Sequence, residues 1–309
     1  KFVIGIIFVS LCSWAWAQDV TRIVNASPVG TLGDVVPRVI TAEIGQERYI
    51  IESMTGGFGS MAMLEVQKAK PDGKTLLVAS IGSVITRRIV ANKLTDIKED
   101  FVPILTLAST PQVLVASPKL SIRNVSDLVK YAKTNSNIPF GSIGVGSGQH
   151  LTGLDMSIIL GMTINHIAYK DNNRLLIDLS NNDISLAVQS APSVLGFVNS
   201  GKINALAIMA NKRIDSLPDV ATAAEQGFPR LQSTLILALF APSTTSNATI
   251  LEIRKQFETA MAKDTVKRKY TELGIDQDSM SITKLTEFIN AETNRWNNIL
   301  QRNNVILTQ

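Results

Sequence analysis

The chain has 309 residues and a formal charge of +4, from 30 basic and 26 acidic side chains, an excess too small and too scattered to serve a nucleic-acid surface. Its composition is that of a globular protein, 45% hydrophobic with no low-complexity tract, and the length suggests about two domains. The cysteine count is one, Cys12, and the histidines are His150 and His166, which excludes a disulfide framework and a cysteine-ligated metal centre.

Lys1 is followed by an apolar run, and Ala15-Trp16-Ala17 supplies a small-x-small pattern before Gln18. Residues 1–17 therefore read as a secretory signal peptide. The apolar stretch, about 16 residues, is short of the roughly 20 needed to span a bilayer. Cleavage after Ala17 removes Lys1 and Cys12, leaving a thiol-free chain of charge +3 (4 − 1). Ser10-Leu11 fits poorly ahead of a lipidated cysteine. An exported chain without disulfides suits a bacterial periplasm.

A β-branched run at 20–24 predicts a strand, followed by Ser27-Pro28-Val29-Gly30-Thr31-Leu32-Gly33-Asp34. Val35, Val36, Val39, Ile40 and Ile44 then recur at helical spacing, with Gly45 as the stop. Pro37 belongs in the first turn, where its missing N–H costs nothing, so the helix is expected to start near Gly33 or Asp34. Residues 49–51 predict a strand, Gly56, Gly57 and Gly59 a flexible loop, 61–70 a helix ended by Pro71-Asp72-Gly73, and 75–79 a strand ending at Ser80. Two short strands at 104–107 and 113–116 flank Ser109-Thr110-Pro111. A helix at 125–133, capped by Asn124 or Ser126, leads into a second glycine loop. A helix at 151–160, strand at 164–169, helix at 175–181, strand at 184–188, helix at 194–199 and strand at 203–209 follow. An apolar strand at 235–240 and three helical patterns close the chain.

The second loop is the most informative segment: Gly141 to Gly148 holds four glycines and two serines in eight positions. Glycine lets the backbone turn tightly and approach a ligand. The start of a helix carries unpaired N–H groups and partial positive charge. Such a loop is an anion cradle. Strands that alternate with helices and are apolar on both faces give mostly parallel sheets covered by helices. The expected architecture is α/β in two lobes, with 18–110 and 243–309 in one and 111–242 in the other. A ligand cleft lies between them, beyond the carboxyl ends of the strands.

Other motifs are weaker. The loop fails the dinucleotide pattern because Gln149 takes the third glycine's place. Gly196 to Lys202 matches G-x-x-x-x-G-K, but Ile203 replaces the magnesium-binding hydroxyl and the segment precedes a strand, so a helix end capped by Gly201 is expected. Lys267-Arg268-Lys269 reads as a solvated helix face. His150, beside the loop, is placed to face a ligand or to brace the loop; His166, in an apolar strand, reads as structural. Asp34 and Arg38 form an i,i+4 pair that supports the helix start or shapes the first loop.

These segments together closely resemble the Bug (TctC-like) family of periplasmic solute-binding proteins, the receptors of tripartite tricarboxylate transporters. The likeness covers the whole mature chain. It is carried by Gly30-Thr31-Leu32-Gly33-Asp34 with Arg38, Gly56-Gly57-Phe58-Gly59, Pro71-Asp72-Gly73-Lys74-Thr75-Leu76-Leu77, and Gly141 to Ser147 with His150-Leu151. Ala168-Tyr169-Lys170, Gly201 to Ala207, Leu217-Pro218-Asp219-Val220 and Trp296 continue it. The resemblance implies a two-lobed, hinge-closing fold of the type II-like periplasmic kind. Its loops at 30–34 and 141–147 would face each other and hold a ligand carboxylate through main-chain groups and water. Neither loop contains Lys or Arg, so N–H and hydroxyl donors would do the binding. Hydrogen bonds to a charged group contribute about 1.5–3 kcal/mol each, and a micromolar binder needs about −8 kcal/mol, so a handful suffice.

The ligand-binding residues so nominated are Ser27, Gly30, Thr31, Leu32, Gly33, Asp34, Ser80, Ser142, Gly144, Gly146, Ser147, His150, Asp171 and Gln189. The chain departs from the family pattern at Thr31, Gly33, Asp171, Gln189, Ile236 and Asn181-Asn182. Thr31 could narrow the pocket or donate its hydroxyl, and Asp171 would repel an anion unless it met an amino group. The expected function is capture of a small carboxylated metabolite (a di- or tricarboxylate, an acidic amino acid or an aromatic carboxylate) for delivery to membrane permease subunits, with no catalysis, cofactor, metal or nucleic acid. The alternatives are an exported hydrolase or transferase using Ser147 and His150, and a ligand sensor that signals without transport.

Overall fold

The structure is a computed structural model and describes residues 20–275 and 280–302; the expected signal peptide, with Cys12 and the cleavage after Ala17, lies outside the described residues. β1 (Thr21–Asn25) runs through the first glycine loop into α1 (Leu32–Ile44). Thr31 is the N-cap of α1, and Gly45, at φ 138°, ends it. The helix therefore begins one residue before Gly33, and Pro37 sits in its second turn instead of its first. The proline nitrogen cannot bond the carbonyl four residues back, and α1 carries that missing link.

A 3-10 turn (Gln46–Arg48) leads to β2 (Tyr49–Ser53), and another (Gly57–Gly59) to α2 (Ser60–Gln67), β3 (Thr75–Ser80) and α3 (Ile81–Val90). α3 has no counterpart among the expected elements. Its sequence is rich in β-branched residues with Gly82 near the start, both poor helix formers. The Ser80 side chain starts it by accepting from the Ser83 N–H at 3.2 Å.

After a 3-10 turn (Ile97–Glu99), β4 (Phe101–Ala116) runs for 16 residues, merging the two short strands expected on either side of Pro111. Up to Pro111 its partner is β9 (Thr234–Pro242); from Gln112 onward its partners are β7 (Leu186–Ser190) and β8 (Asn204–Ile208). A residue without an N–H is tolerated where the ladder changes hands.

The second half continues as α4 (Val125–Thr134), β5 (Ile138–Ser142), α5 (Gly148–Leu160), β6 (Ile164–Ala168), α6 (Asn172–Asn181), β7, α7 (Ala191–Asn199) and β8. The chain then returns through β9 to α8 (Asn247–Met261), α9 (Asp264–Glu272) and α10 (Ile282–Arg302). The sheet runs β2-β1-β3-β9-β4-β7-β5-β6, with β8 beside β4. The outer blocks are parallel and the joints at β4 and β9 antiparallel.

Each half of this mixed sheet is covered on both faces. In the first half, Val36 and Ile40 of α1 and Phe257 of α8 pack on Ile23, Val78 and Leu239. Trp296 of α10 and Val84 of α3 join Phe101 and Phe240 on the other face. In the second half, Leu128 and Met156 pack on Phe140 and Val188, and Leu175 and Val194 on Val113 and Ala187. Burying one such side chain contributes about 1.5–3 kcal/mol. The result is a two-lobed α/β fold whose last three helices return to the first lobe. β9, which the expected division at 242 assigns to the second lobe, is hydrogen-bonded to β3 and the first part of β4.

Candidate functional site

In a sheet wrapped this way, helices begin where strands end. Thr31, Ser80, Ser147, Asp171 and Ser190 are the N-caps of α1, α3, α5, α6 and α7, and all five line one cavity of about 1610 Å³. α1 and α3 come from the first half of the sheet, α5, α6 and α7 from the second. A helix start carries roughly half a positive charge and N–H groups without intrahelical acceptors. Five of them on one cavity make it attractive to anions.

The first loop is braced from behind. Asp34 accepts from the Gly30 N–H at 3.0 Å with one carboxylate oxygen and from Arg38 Nε at 2.9 Å with the other. Burial pushes this carboxyl up, but the Arg38 and Gly30 bonds together outweigh it and hold its pKa below the usual value. Asn25 Oδ1 accepts from the Ser27 N–H at 3.0 Å, and the Thr31 hydroxyl donates to the Pro28 carbonyl at 2.6 Å. Thr31 thus spends its proton inside the loop.

The second loop has a similar internal frame. Ser142 Oγ accepts from the Gly144 N–H at 3.1 Å and lies 2.6 Å from His166 Nε2. The Ser147 hydroxyl donates to Ser142 Oγ at 3.3 Å and accepts the His150 backbone N–H at 3.2 Å, capping α5. His150 Nδ1 accepts the Gly146 N–H at 3.0 Å, so the ring proton belongs on Nε2. Burial, with the neighbouring His166, lowers the His150 pKa to about 4; burial lowers that of His166 too.

The halves touch where α3 and α10 meet α5 and the loop before it. Thr86 of α3 donates to the Gly146 carbonyl. A Cβ on Gly82 would lie 3.1 Å from Gly148 Cα. Arg295 of α10 reaches Asp155 of α5 at 3.2 Å.

Of the nominated residues, Ser27, Gly30, Thr31, Leu32, Gly33, Ser80, Gly144, Ser147, Asp171 and Gln189 line the cavity. Asp34, Ser142, Gly146 and His150 stand behind its wall as supports, held by the bonds just described. Asp171 caps α6, one oxygen of its carboxylate accepting the backbone N–H of Arg174 at 2.8 Å. Ser147 and His150 are not joined as nucleophile and base, because the serine meets the histidine's backbone and the ring is engaged by Gly146. Gly201, at φ 68°, follows the end of α7, so the G-x-x-x-x-G-K segment is a helix end. Lys267, Arg268 and Lys269 are exposed on α9.

The sequence reading missed Gln112, Ser83, Ser190, Ser193 and Ser233, which also line the cavity, and the wall cations Lys170, Arg230 and Arg295. A repeated pattern could have found three of these serines. Val78-Ala79-Ser80-Ile81-Gly82-Ser83-Val84 and Val188-Gln189-Ser190-Ala191-Pro192-Ser193-Val194 both read V-x-S-x-x-S-V, and both are strand-to-helix joints on the cavity.

Residues 35–305 match the family described as "Tripartite tricarboxylate transporter family receptor". The chain is 25% identical over 291 residues to BugT of Bordetella pertussis, covering 92% of this chain and 89% of that protein. Among solved structures it resembles MatC from Rhodopseudomonas palustris with bound malate, at TM-score 0.78 and 24% identity over 91% of this chain and 98% of that one. It also resembles Rpa4515 of R. palustris with adipate, at TM-score 0.81 and 24% identity over 93% and 97%. A two-lobed periplasmic-binding-protein fold, two glycine loops at helix starts and a family match across most of the chain lead to one conclusion: this chain belongs to the TctC family of tripartite tricarboxylate transporter receptors.

Proposed function

We propose that the protein is a periplasmic receptor that captures a small carboxylate between its lobes and delivers it to the permease of a tripartite tricarboxylate transporter, without catalysing a reaction. One observation carries this reading: the two glycine loops, on opposite halves of the sheet, run into the starts of α1 and α5 and open on the same cavity. The carboxylate is held by first-turn N–H groups of these helices and by hydroxyls of the wall. Asp34, Ser142 and His150 keep the loops in shape. The malate and adipate bound by two proteins of the same fold are small carboxylates, which supports the ligand class. The family's receptor role supports the partner, and the amino-terminal signal pattern supports export. Among the described residues no helix is long and apolar enough to cross a membrane.

The lobes move about the two crossings at Pro111-Gln112 and Ser233-Thr234, so lobe division follows 18–110 with the carboxyl-terminal helices against the segment beginning at 111. A thermal-shift screen against mono-, di- and tricarboxylates and acidic amino acids tests the reading. At least one carboxylate raises the melting temperature by several degrees; a folded protein that none of them stabilises would count decisively against it.

A further inference from the structure

Gln189 breaks the repeat that relates the two strand-to-helix joints. Its counterpart, Ala79, is fully buried among Val24, Leu77 and Ile81. Gln189 occupies the same place at the end of β7, is only 2% exposed, and lines the cavity. It stands opposite Val113 in the ladder, on the sheet face covered by α6 and α7. Its Nε2 has no hydrogen-bond partner among the described residues. Asn172, the first residue of α6, also lines the cavity, and its Oδ1 is likewise buried without a partner.

A buried carboxamide among apolar neighbours is destabilising unless something pairs with it. The alanine at the matching joint shows that the fold itself needs no amide there. The serine pairs at the two helix starts are alike in their Oγ to Oγ distances, 2.8 Å for Ser80 and Ser83 and 2.7 Å for Ser190 and Ser193, although the Ser80 side chain also accepts the Ser83 N–H and Ser190 makes no such cap bond. The buried amide is thus a difference between the joints that the serine pairs do not require.

We propose that Gln189 determines ligand specificity: it hydrogen-bonds an uncharged donor-and-acceptor group, a hydroxyl or a carboxamide, on a ligand whose carboxylate is held by the glycine loops. This rests on the receptor reading above. A primary amide carries a donor and an acceptor side by side, and it can turn end for end without changing shape. A second carboxylate would only accept. It would serve the Gln189 NH2, but as the amides stand it offers no proton to Asn172 Oδ1. Lys170 and Asp171, adjacent in sequence and both on the cavity wall, carry opposite charges. A hydroxyl or carboxamide offers an acceptor to Gln189 Nε2 and a donor to the orphaned acceptors of the same cavity, Asn172 Oδ1 and Gln112 Oε1.

The test is calorimetric titration of the wild type, Gln189→Met and Gln189→Ala with matched acids of four and six carbons: butanoate, 4-hydroxybutanoate, succinamate and succinate, and their six-carbon counterparts. In at least one length series the wild type binds the hydroxy or amide acid about tenfold more tightly than the methyl-ended acid. Both variants bring that ratio close to one, and far-UV circular dichroism with a cooperative thermal melt shows that they fold. An unchanged ratio in the variants, no preference in a wild type that binds the plain acids, or a diacid preferred and lost on Gln189→Met would each overturn the assignment and leave the receptor reading standing. A wild type that binds none of these acids would overturn both.

Discussion

The imidazole rings of His150 and His166 stack with centroids 3.9 Å apart and an interplanar angle of 26°, directly behind the second glycine loop. One ring bonds Gly146 and the other Ser142. Neither ring can gain a proton without facing its neighbour, and His150 must give up its bond from the Gly146 N–H to do so. The loop's shape is therefore tied to two neutral histidines.

A pH dependence follows. In the folded chain His150 titrates at about 4, against an ordinary value near 6.5. Between these values the unfolded chain holds a proton that the folded chain refuses, so stability rises with pH across the window. The contribution is complete above about pH 6.5 and is lost as pH falls toward about 4. At roughly 1.4 kcal/mol per unit, the loss reaches ~3 kcal/mol. Urea midpoints measured at pH 7 and 4.5 should fall accordingly, and His150→Gln should flatten the decline. An equal decline in that variant would refute the assignment.

Asp34 is the matching support of the first loop. Asp34→Ala leaves the Gly30 N–H without its acceptor and Arg38 without its carboxylate, though still near the Ile51 carbonyl. The lost bonds should lower stability by about 1–3 kcal/mol. Because Arg38 is half exposed, no buried charge is stranded and the protein still folds. Carboxylate affinity should fall as well, since the loop loses its fixed shape. Chemical denaturation and calorimetry on the same samples separate the two effects.

The loops were legible in the sequence because their glycines have few other uses. Gly30, Gly144 and Gly146 all adopt positive φ, which ordinary residues avoid. What the sequence could not reveal is which face each loop side chain takes. His150 and Ser142 look like ligand contacts beside a glycine loop, yet their hydrogen bonds turn them inward. α3 was hidden because Val84, Ile85 and Thr86 favour strands locally; packing of this helix in the first lobe's core overrides that preference. The merging of two expected strands into β4 depends on a change of partner at Pro111, and tertiary pairing of that kind leaves no local trace.

Beneath α3 lies a buried ion pair. Arg88 Nη1 meets Asp100 at 2.8 Å, and Lys93 and Gln67 reach the other carboxylate oxygen. Burial lowers the Arg88 pKa despite the nearby acids. Asp100→Ala leaves that guanidinium buried with the Thr95 carbonyl and without the carboxylate it contacts, which should cost about 3–5 kcal/mol. Arg88→Met combined with Asp100→Leu should recover much of the loss. Urea unfolding of the single and double variants decides the matter: a double variant as unstable as Asp100→Ala would show that shape, not stranded charge, is responsible.

Gly33 tests the close fit of the first loop itself. A Cβ there would lie 2.3 Å from Ser27 Oγ and 2.5 Å from Ser27 Cβ. Ser27 cannot step aside easily, because its N–H is held by Asn25. Gly33→Ala should therefore displace the loop, lower stability by about 1–3 kcal/mol and weaken carboxylate binding. Gly148 supplies the control. A Cβ at Gly148 meets nothing within 4 Å, and the residue opens α5 with an ordinary backbone. Gly148→Ala should leave stability unchanged or raise it by about 0.5 kcal/mol through the unfolded chain. If thermal melts show both alanines equally harmful, the fault lies in flexibility lost at glycine, and the contact between Gly33 and Ser27 does not set the shape of the first loop.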